Sequence, residues 1–532
     1  MPPRSDLAGR PAAPGLAIGP VVRLAKSMAA RRSSGDPMQE TEDLLAAIEA
    51  AIADLATLTE TAGEDGAGIL EFQVAMLEDE ALREPALAVI AAGAAADAAW
   101  RQAVEIQIAE YETAGEEYFQ ARTADLTDLR DRVLGHLAGM GDEAPPPSGA
   151  VLVAEDLTPS RFLATDWTGG GAIALAASSP TSHVAMLARS RRVPMVVGLG
   201  AAILDGGTEA IVDGSAGTVW LDPPAAAKDE FRRRRAAMEA VERAAEATVR
   251  QPAVTRGGVP IAVLINLADP AELGRIDPAI CDGVGLVRTE FLFHGGGLPD
   301  EARQVAAYSR IVAWAQGRPV TIRTLDAGGD KPIPGLTVDG ESNPFLGTRG
   351  IRLSLARPGP FRIQLRALAR AAVHGPLKIM IPMVTVPAEM AAAGRMLDDA
   401  VAELTAAGIP ARRPPLGMMV EVPAAALAID RFVADFLSIG SNDLTQYVTA
   451  AARDTGAVAD LADPGNPAVL RLIAEVAAAG ARQGIEVSLC GDMAGDPAFV
   501  PALLRAGLRS LSMAPAAVAR TKAAIAAADL GA

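Results

Sequence analysis

Four histidines occur in the chain, His136, His183, His294 and His374, and one has a context that suggests chemistry. His183 follows Thr181-Ser182 and precedes Val184-Ala185-Met186-Leu187-Ala188-Arg189, a run of good helix formers. A Thr or Ser there caps the helix, and a helix N-terminus favours an anion near the imidazole. A second set of reactive side chains recurs far downstream, each just past an apolar run. It comprises Arg288, Arg323, Lys331, Arg349, Glu421, Asn442, Asp443 and Cys490. Arginine forks grip carboxylate and phosphate bidentately, so Arg288, Arg323 and Arg349 with Lys331 make a positive cluster for an anion. Glu421 and Asp443 are hard oxygen ligands, and a few protein carboxylates plus substrate oxygens are the usual way of holding Mg²⁺. The set calls for a small anion carrying phosphate and carboxylate, with a divalent metal. Cys490 is either an inert core thiol or a proton donor, whereas Cys281 reads as packing.

Positioning these groups requires at least two kinds of element. About residues 13–24, Gly and Pro punctuate short apolar runs, which predicts a turn and a strand. From about Gln39 to Leu137, Ala, Leu and charged residues recur at helical spacing, as in Glu40-Thr41-Glu42-Asp43-Leu44-Leu45-Ala46-Ala47-Ile48, predicting a bundle of antiparallel helices. Strand-like runs return at Val151–Val153, Ala172–Leu175, Pro194–Gly198, Ala210–Val212 and Thr218–Leu221, so the bundle reads as an insert after the first strand of an α/β domain. A charged, glycine-free stretch from Ala225 to Arg250 predicts a linking helix.

The second half repeats an apolar strand, a polar loop and a helix. Strands are expected at Ile261–Ile265, Gly283–Val287, Val320–Thr324, Lys378–Ile381, Leu416–Val420, Phe436–Ile439 and Glu486–Leu489. An eighth, less distinct, is placed around Pro344–Gly350, fourth in order, which makes Glu421, Asn442-Asp443 and Cys490 the ends of strands six, seven and eight. Eight such units predict a (β/α)₈ barrel, whose chemistry sits at the C-terminal ends of its strands.

The 532 residues suit several domains, and their net charge of −17 argues against a nucleic-acid coat or a polybasic membrane patch. Two distant cysteines cannot build a disulfide framework, and the N-terminus has no apolar signal segment, so a cytoplasmic protein is expected.

Several motifs stand together in one order: Thr181-Ser182-His183, Gly285–Phe293, Arg323–Lys331, Asn343–Gly347, Glu421–Ala424, Gly440–Tyr447 and Cys490–Asp496. With Pro14-Gly15 and Leu157-Thr158-Pro159-Ser160, they make the chain resemble the enzyme I family, the phosphoenolpyruvate–protein phosphotransferases of the bacterial sugar phosphotransferase system. The resemblance implies a swivelling α/β phosphohistidine domain (residues 1–30 and 140–223). It also implies an inserted helical bundle that binds the carrier protein HPr (31–139), a linker helix (224–250), and a TIM barrel that binds phosphoenolpyruvate and makes a homodimer (251–532). It implies that His183 is phosphorylated on Nε2. Arg288, Arg323 and Arg453 would bind phosphoenolpyruvate with Asn442 and Asp443 beside them, supported by Lys331 and Arg349. Glu421 and Asp443 would hold Mg²⁺, and Cys490 would protonate the enolate to give pyruvate. Ser178-Ser179-Pro180 stands where the family usually has a Gly-Gly pair, and Ala452 where it often has Asp before the arginine. The alternative is a catalytically weak regulatory or scaffold homologue. Related dikinases and synthases need a nucleotide-grasping domain for which 532 residues leave no room.

Overall fold

The computed structural model describes residues 7–24, 33–62, 64–113, 117–139, 146–180, 182–293, 298–329, 333, 335–338, 340–452, 458 and 461–530. Two compact units divide the chain, one running to Ala237 and the other starting at Met238.

The first unit begins with strands β1 (Leu7–Ala8), β2 (Arg10–Ala13) and β3 (Leu16–Arg23). Helices α1 (Pro37–Ala62), α2 (Glu64–Glu78), α3 (Glu80–Ala91), α4 (Ala96–Thr113) and α5 (Glu117–Leu137) follow. Then come β4 (Val151–Ala154), α6 (Pro159–Ala164), β5 (Ala172–Leu175), α7 (His183–Ser190), β6 (Met195–Val197), β7 (Glu209–Asp213) and β8 (Thr218–Leu221). The sheet order is β1-β8-β7-β3-β4-β5-β6-β2. β3 and β4 are parallel neighbours, Val21 opposite Val151, so the helices are the crossover between two adjacent strands. The two strands approach so closely that a Cβ at Gly19 would collide with the Gly149 carbonyl oxygen. In the bundle, Leu44, Ile48, Ala51 and Leu55 recur three and four residues apart and are buried with Leu70, Leu77, Trp100, Leu126, Leu129 and Val133. That core is continuous with Phe162 of α6 and with Val184, Leu187 and Ala188 of α7, which ties the bundle to the α/β layer.

Helix α8 (Ala225–Thr248) spans the point of division between the units. The second unit is a closed barrel of parallel strands. Its strands are β9 (Ala262–Leu267), β10 (Gly283–Val287), β11 (Val320–Arg323), β12 (Leu377–Ile381), β13 (Leu416–Val420), β14 (Phe436–Gly440), β15 (Glu486–Cys490) and β16 (Ser510–Met513). Side chains alternate along each strand. Ile322, Val420, Ile439 and Leu489 join the large core of the unit, while Leu286, Met380, Met419, Phe436 and Cys490 form a separate buried cluster.

One expected strand is in the wrong place. Residues 344–350 form a single 3₁₀ turn (Pro344–Leu346) and a loop, because Pro344 has no N–H to give a ladder and Gly350 has a φ of 58°. The eighth strand is β16, Ser-Leu-Ser-Met, whose serines break the apolar run. Ser512 faces Asn266 of β9, donating to its Oδ1 at 2.6 Å, and has room because Gly285 of β10 has no side chain. Glu421 therefore follows the fifth strand, Ser441 the sixth, and Cys490 closes the seventh.

Candidate active site

Alternation decides which barrel residues meet. Past the last outward residue of β11, Arg323 turns inward, and it is only 4% exposed. Its Nη2 lies 2.9 Å from Glu290 Oε1 and its Nη1 lies 2.9 Å from Asp326 Oδ2. Arg349, 1% exposed, is fixed from three sides. It donates through Nε and Nη2 to Asp326 at 3.0 Å each, through Nη2 to Asp443 Oδ2 at 3.1 Å, and through Nη1 to the Tyr447 hydroxyl at 3.3 Å. Its guanidinium also lies 5.9 Å from the centre of the Phe345 ring. Burial alone would lower the pKa of both arginines. The facing carboxylates, Glu290, Asp326 and Glu421 for Arg323, and Asp326, Asp443 and Glu421 for Arg349, outweigh it and raise both. The expected cationic cluster is thus a balanced lattice in which the carboxylates hold the arginine forks at fixed angles.

Glu421 emerges from β13 and is 1% exposed, with Oε1 accepting from the Met383 N–H at 2.6 Å. Burial, and then the charges of Asp443 and Asp326, push its carboxyl up to about 8. A carboxylate crowded by two others and stripped of water has the donor chemistry of a hard cation site. Among the described residues there is no cluster of three or more His, Cys, Asp or Glu groups arranged to hold a metal. Glu421 and Asp443 are two hard oxygen donors on neighbouring strand ends, a donor set whose chemistry fits a divalent cation that keeps other ligands from outside the protein.

Asn442 and Asp443 open the helix Ser441–Thr449, which starts directly at the end of β14. The Asn442 amide is held at both ends by one residue: it donates to Asp492 Oδ2 at 3.2 Å and accepts from the Asp492 N–H at 3.1 Å. Between Cys490 and Asp492, Gly491 has a φ of 118°, and a Cβ there would collide with Ser441 Oγ and lie 2.8 Å from Asn442 Oδ1. Cys490 ends β15 with Ser438 Oγ donating to its sulfur at 3.6 Å and with its own thiol 3.6 Å from the Ile439 carbonyl. Burial pushes that thiol up to about 11, the Ser438 hydrogen bond pulling slightly the other way. Arg288 is exposed at the end of β10. Lys331 and Arg453 lie outside the described residues. Glu290, Asp326 and Tyr447 complete the lattice and stood in the sequence motifs without an assigned role.

In the first unit, His183 is the first residue of α7. Ser182 caps that helix, its Oγ accepting from the Ala185 N–H at 3.2 Å. Thr181 lies outside the described residues. The His183 side chain is 29% exposed, yet its Nδ1 is buried and has no hydrogen-bond partner. The exposed share therefore belongs to the rest of the side chain, which includes the Nε2 edge. Of the other histidines, His136 Nε2 pairs with Asp54 at 2.8 Å and His374 ends a 3₁₀ turn. Cys281 is buried in the barrel core, as expected of packing.

Three family descriptions match this chain: PEP-utilising enzyme, N-terminal, over residues 8–122; PEP-utilising enzyme, mobile domain, over 146–217; and PEP-utilising enzyme, PEP-binding domain, over 242–530. The chain is 38% identical over 530 residues to the phosphoenolpyruvate-protein phosphotransferase of Geobacillus stearothermophilus, covering 97% of this chain and 92% of that protein. To the protein of the same name from Bacillus subtilis it is 36% identical over 536 residues, covering 97% and 94%. A multiphosphoryl transfer protein of Rhodobacter capsulatus is 37% identical over 530 residues, covering 97% of this chain and 63% of that one.

Proposed function

The chain belongs to the phosphoenolpyruvate–protein phosphotransferase family, and we propose that it moves the phosphoryl group of phosphoenolpyruvate onto its own His183 and then onto a histidine of the small carrier protein HPr, releasing pyruvate. The observation that carries this reading is the barrel lattice. Two buried arginines, held by Glu290, Asp326 and Asp443, lie beside a buried glutamate and a protonated thiol at the strand ends.

The chemistry follows from the donor set. Arg288 and Arg323 receive the carboxylate and phosphate of phosphoenolpyruvate, with Asn442 beside them and Arg349 fixing Asp443. Lys331 belongs to the same proposed set by its place in the motif Arg323–Lys331, and Arg453 by the family resemblance. Glu421 and Asp443 would hold Mg²⁺, which draws charge from the phosphoryl and enolate oxygens when bound. His183 Nε2 attacks phosphorus in line, the bridging P–O bond breaks, and its electron pair passes to the enolate. Cys490 then gives its proton to the enolate carbon. A thiol that burial keeps protonated suits an acceptor as basic as that carbon. The imidazole must visit phosphoenolpyruvate and afterwards the carrier. Residues 1–30 and 140–223 are assigned to carry it, 31–139 to dock HPr, 224–250 to link, and 251–532 to bind phosphoenolpyruvate and pair two chains as a homodimer. Among the described residues no helix is long and apolar enough to cross a membrane, and the reaction is assigned to the cytoplasm.

Incubation with ³²P-phosphoenolpyruvate and Mg²⁺ tests the reading. Label that is acid-labile and alkali-stable, present in the native chain, absent in His183→Ala and passed on to HPr, is the expected result. No label on a folded native chain overturns it and leaves the scaffold reading.

A further inference from the structure

The buried Nδ1 of His183 faces a carboxylate from another part of the fold. Asp125 Oδ1, on α5 of the bundle, stands 3.8 Å from it, just beyond hydrogen-bond distance. Asp125 is itself 2% exposed, so this is no surface pair screened by water. It is held from behind. Gln73 of α2, fully buried, donates its amide at 3.2 Å both to Asp125 Oδ1 and to Asp128 Oδ2. Asp128 in turn accepts from the Ser160 hydroxyl at 2.8 Å and lies opposite the Ser160 N–H at 3.4 Å. Ser160 lies in α6, whose N-cap is Thr158, so the Leu157-Thr158-Pro159-Ser160 motif anchors this chain of contacts in the α/β layer. The charged and titratable groups gathered there are Asp125, Asp128 and Arg132 from α5, Arg161 from α6 and His183 from α7. Gln73 and Ser160 are neutral donors that can satisfy carboxylates but cannot replace their charge.

We propose that Asp125 is a positioning residue for phosphotransfer: it accepts the Nδ1–H of His183, which leaves Nε2 as the nucleophile, and it offsets the positive charge the ring gains with the phosphoryl group. This inference rests on the assignment of His183 as the phosphorylated residue. The electron count is simple. The Nε2 lone pair forms the N–P bond, the P–O bond of the donor breaks towards the enolate, and Nδ1 keeps its proton, so the ring becomes cationic. On transfer to the carrier, the N–P pair returns to Nε2 and the ring is neutral again. No proton needs to leave the ring at either step. Turning the ring to bring Nδ1 about 1 Å closer to Asp125 makes the charge-assisted hydrogen bond. Which imidazole nitrogen carries the proton is set by the bond the other makes, and Asp125 is the acceptor that faces Nδ1. The carboxylate comes from the bundle and the histidine from the α/β layer, so the nucleophile is assembled only when the two are packed together.

The test is ¹⁵N NMR of the full chain labelled at histidine, with His183 identified by its absence in His183→Ala. Before any donor is added, the native chain is expected to carry its His183 proton on Nδ1, with Nε2 bare. In Asp125→Asn the proton shifts towards Nε2, and phosphorylation by phosphoenolpyruvate slows about tenfold or more with KM for phosphoenolpyruvate unchanged. Asp128→Asn, which removes the neighbouring carboxylate, is expected to leave the tautomer as in the native chain. An Nε2-protonated His183 in the native chain, or an Asp125→Asn spectrum and rate like the native ones, overturns the proposal. The native tautomer decides the point even if Asp125→Asn does not fold. A chain that takes no label at all while holding the Nδ1–H tautomer overturns the phosphotransfer reading and the positioning role that rests on it, whereas label on a chain with an Nε2–H tautomer overturns the positioning role alone.

Discussion

Burial among Leu286, Met380, Met419 and Phe436 keeps the Cys490 thiol protonated, with a pKa near 11, so only a strongly basic acceptor can take its proton. Because the shift is upward, the donor form persists through neutrality and is lost only as pH approaches that value. The proton step should accordingly be flat from about pH 6 to about pH 10, and Cys490→Ala should slow pyruvate release about 100-fold or more while phosphoenolpyruvate still binds, as rapid-quench and calorimetric measurements would record. Arg349 makes a different prediction. Replacing it by Met strands Asp443 as a buried carboxylate without its arginine and leaves Asp326 to Arg323, which costs about 3–5 kcal/mol and should appear as a lower urea midpoint for the barrel. At this scale the sequence told which residues carry charge but not which partner each would find. Arg323 meets Glu290 across 33 residues of chain, and Arg349 meets Asp443 across 94. That is why Arg323 and Arg349 read as part of a positive cluster, and Glu290 and Asp326 had no role, until the barrel brought them together.

Elements were legible where hydrophobic period was strong and illegible where a strand's inner face had been adapted to its neighbours. β10 to β15 follow apolar runs. β16 does not, since Ser510 and Ser512 fill a barrel wall where Gly285 and Asn266 leave space for small polar groups. The resulting shift in strand order left Glu421, Asn442, Asp443 and Cys490 at strand ends, whereas Arg349 lies in the loop that follows β11 and not on a fourth strand. Gly491 gives the test that belongs to this scale. Its φ of 118° and its contacts with Ser441 and Asn442 leave no space for a methyl group. Gly491→Ala should push Asn442 off Asp492, destabilise the barrel by about 1–3 kcal/mol, and raise KM for phosphoenolpyruvate more than it lowers kcat.

For the molecule as a whole, the raised carboxyl of Glu421 links metal, pH and stability. Its folded pKa of about 8 lies above the ordinary 4.5, so in metal-free protein the stability it contributes is complete at acid pH and is lost as pH rises through about 8. Mg²⁺ should reverse this, raising the thermal midpoint more at about pH 9 than at about pH 6, where it must displace a proton. Glu421→Gln should flatten both trends in calorimetric scans. The domain order was readable from changes of texture along the chain, whereas the packing of Gln73, Asp125, Asp128 and Ser160 was not, since nothing local marks a polar contact between an insert and its host. That insert has a consequence for engineering. Because it only has to carry the chain from the end of β3 back to the start of the adjacent β4, a span of one strand length, another helical bundle could be grafted between the same two strands. On the proposed assignment of the bundle as the carrier's dock, such a graft would wire the relay to a new acceptor, provided the transplanted bundle brings along its own counterparts of Gln73, Asp125 and Asp128.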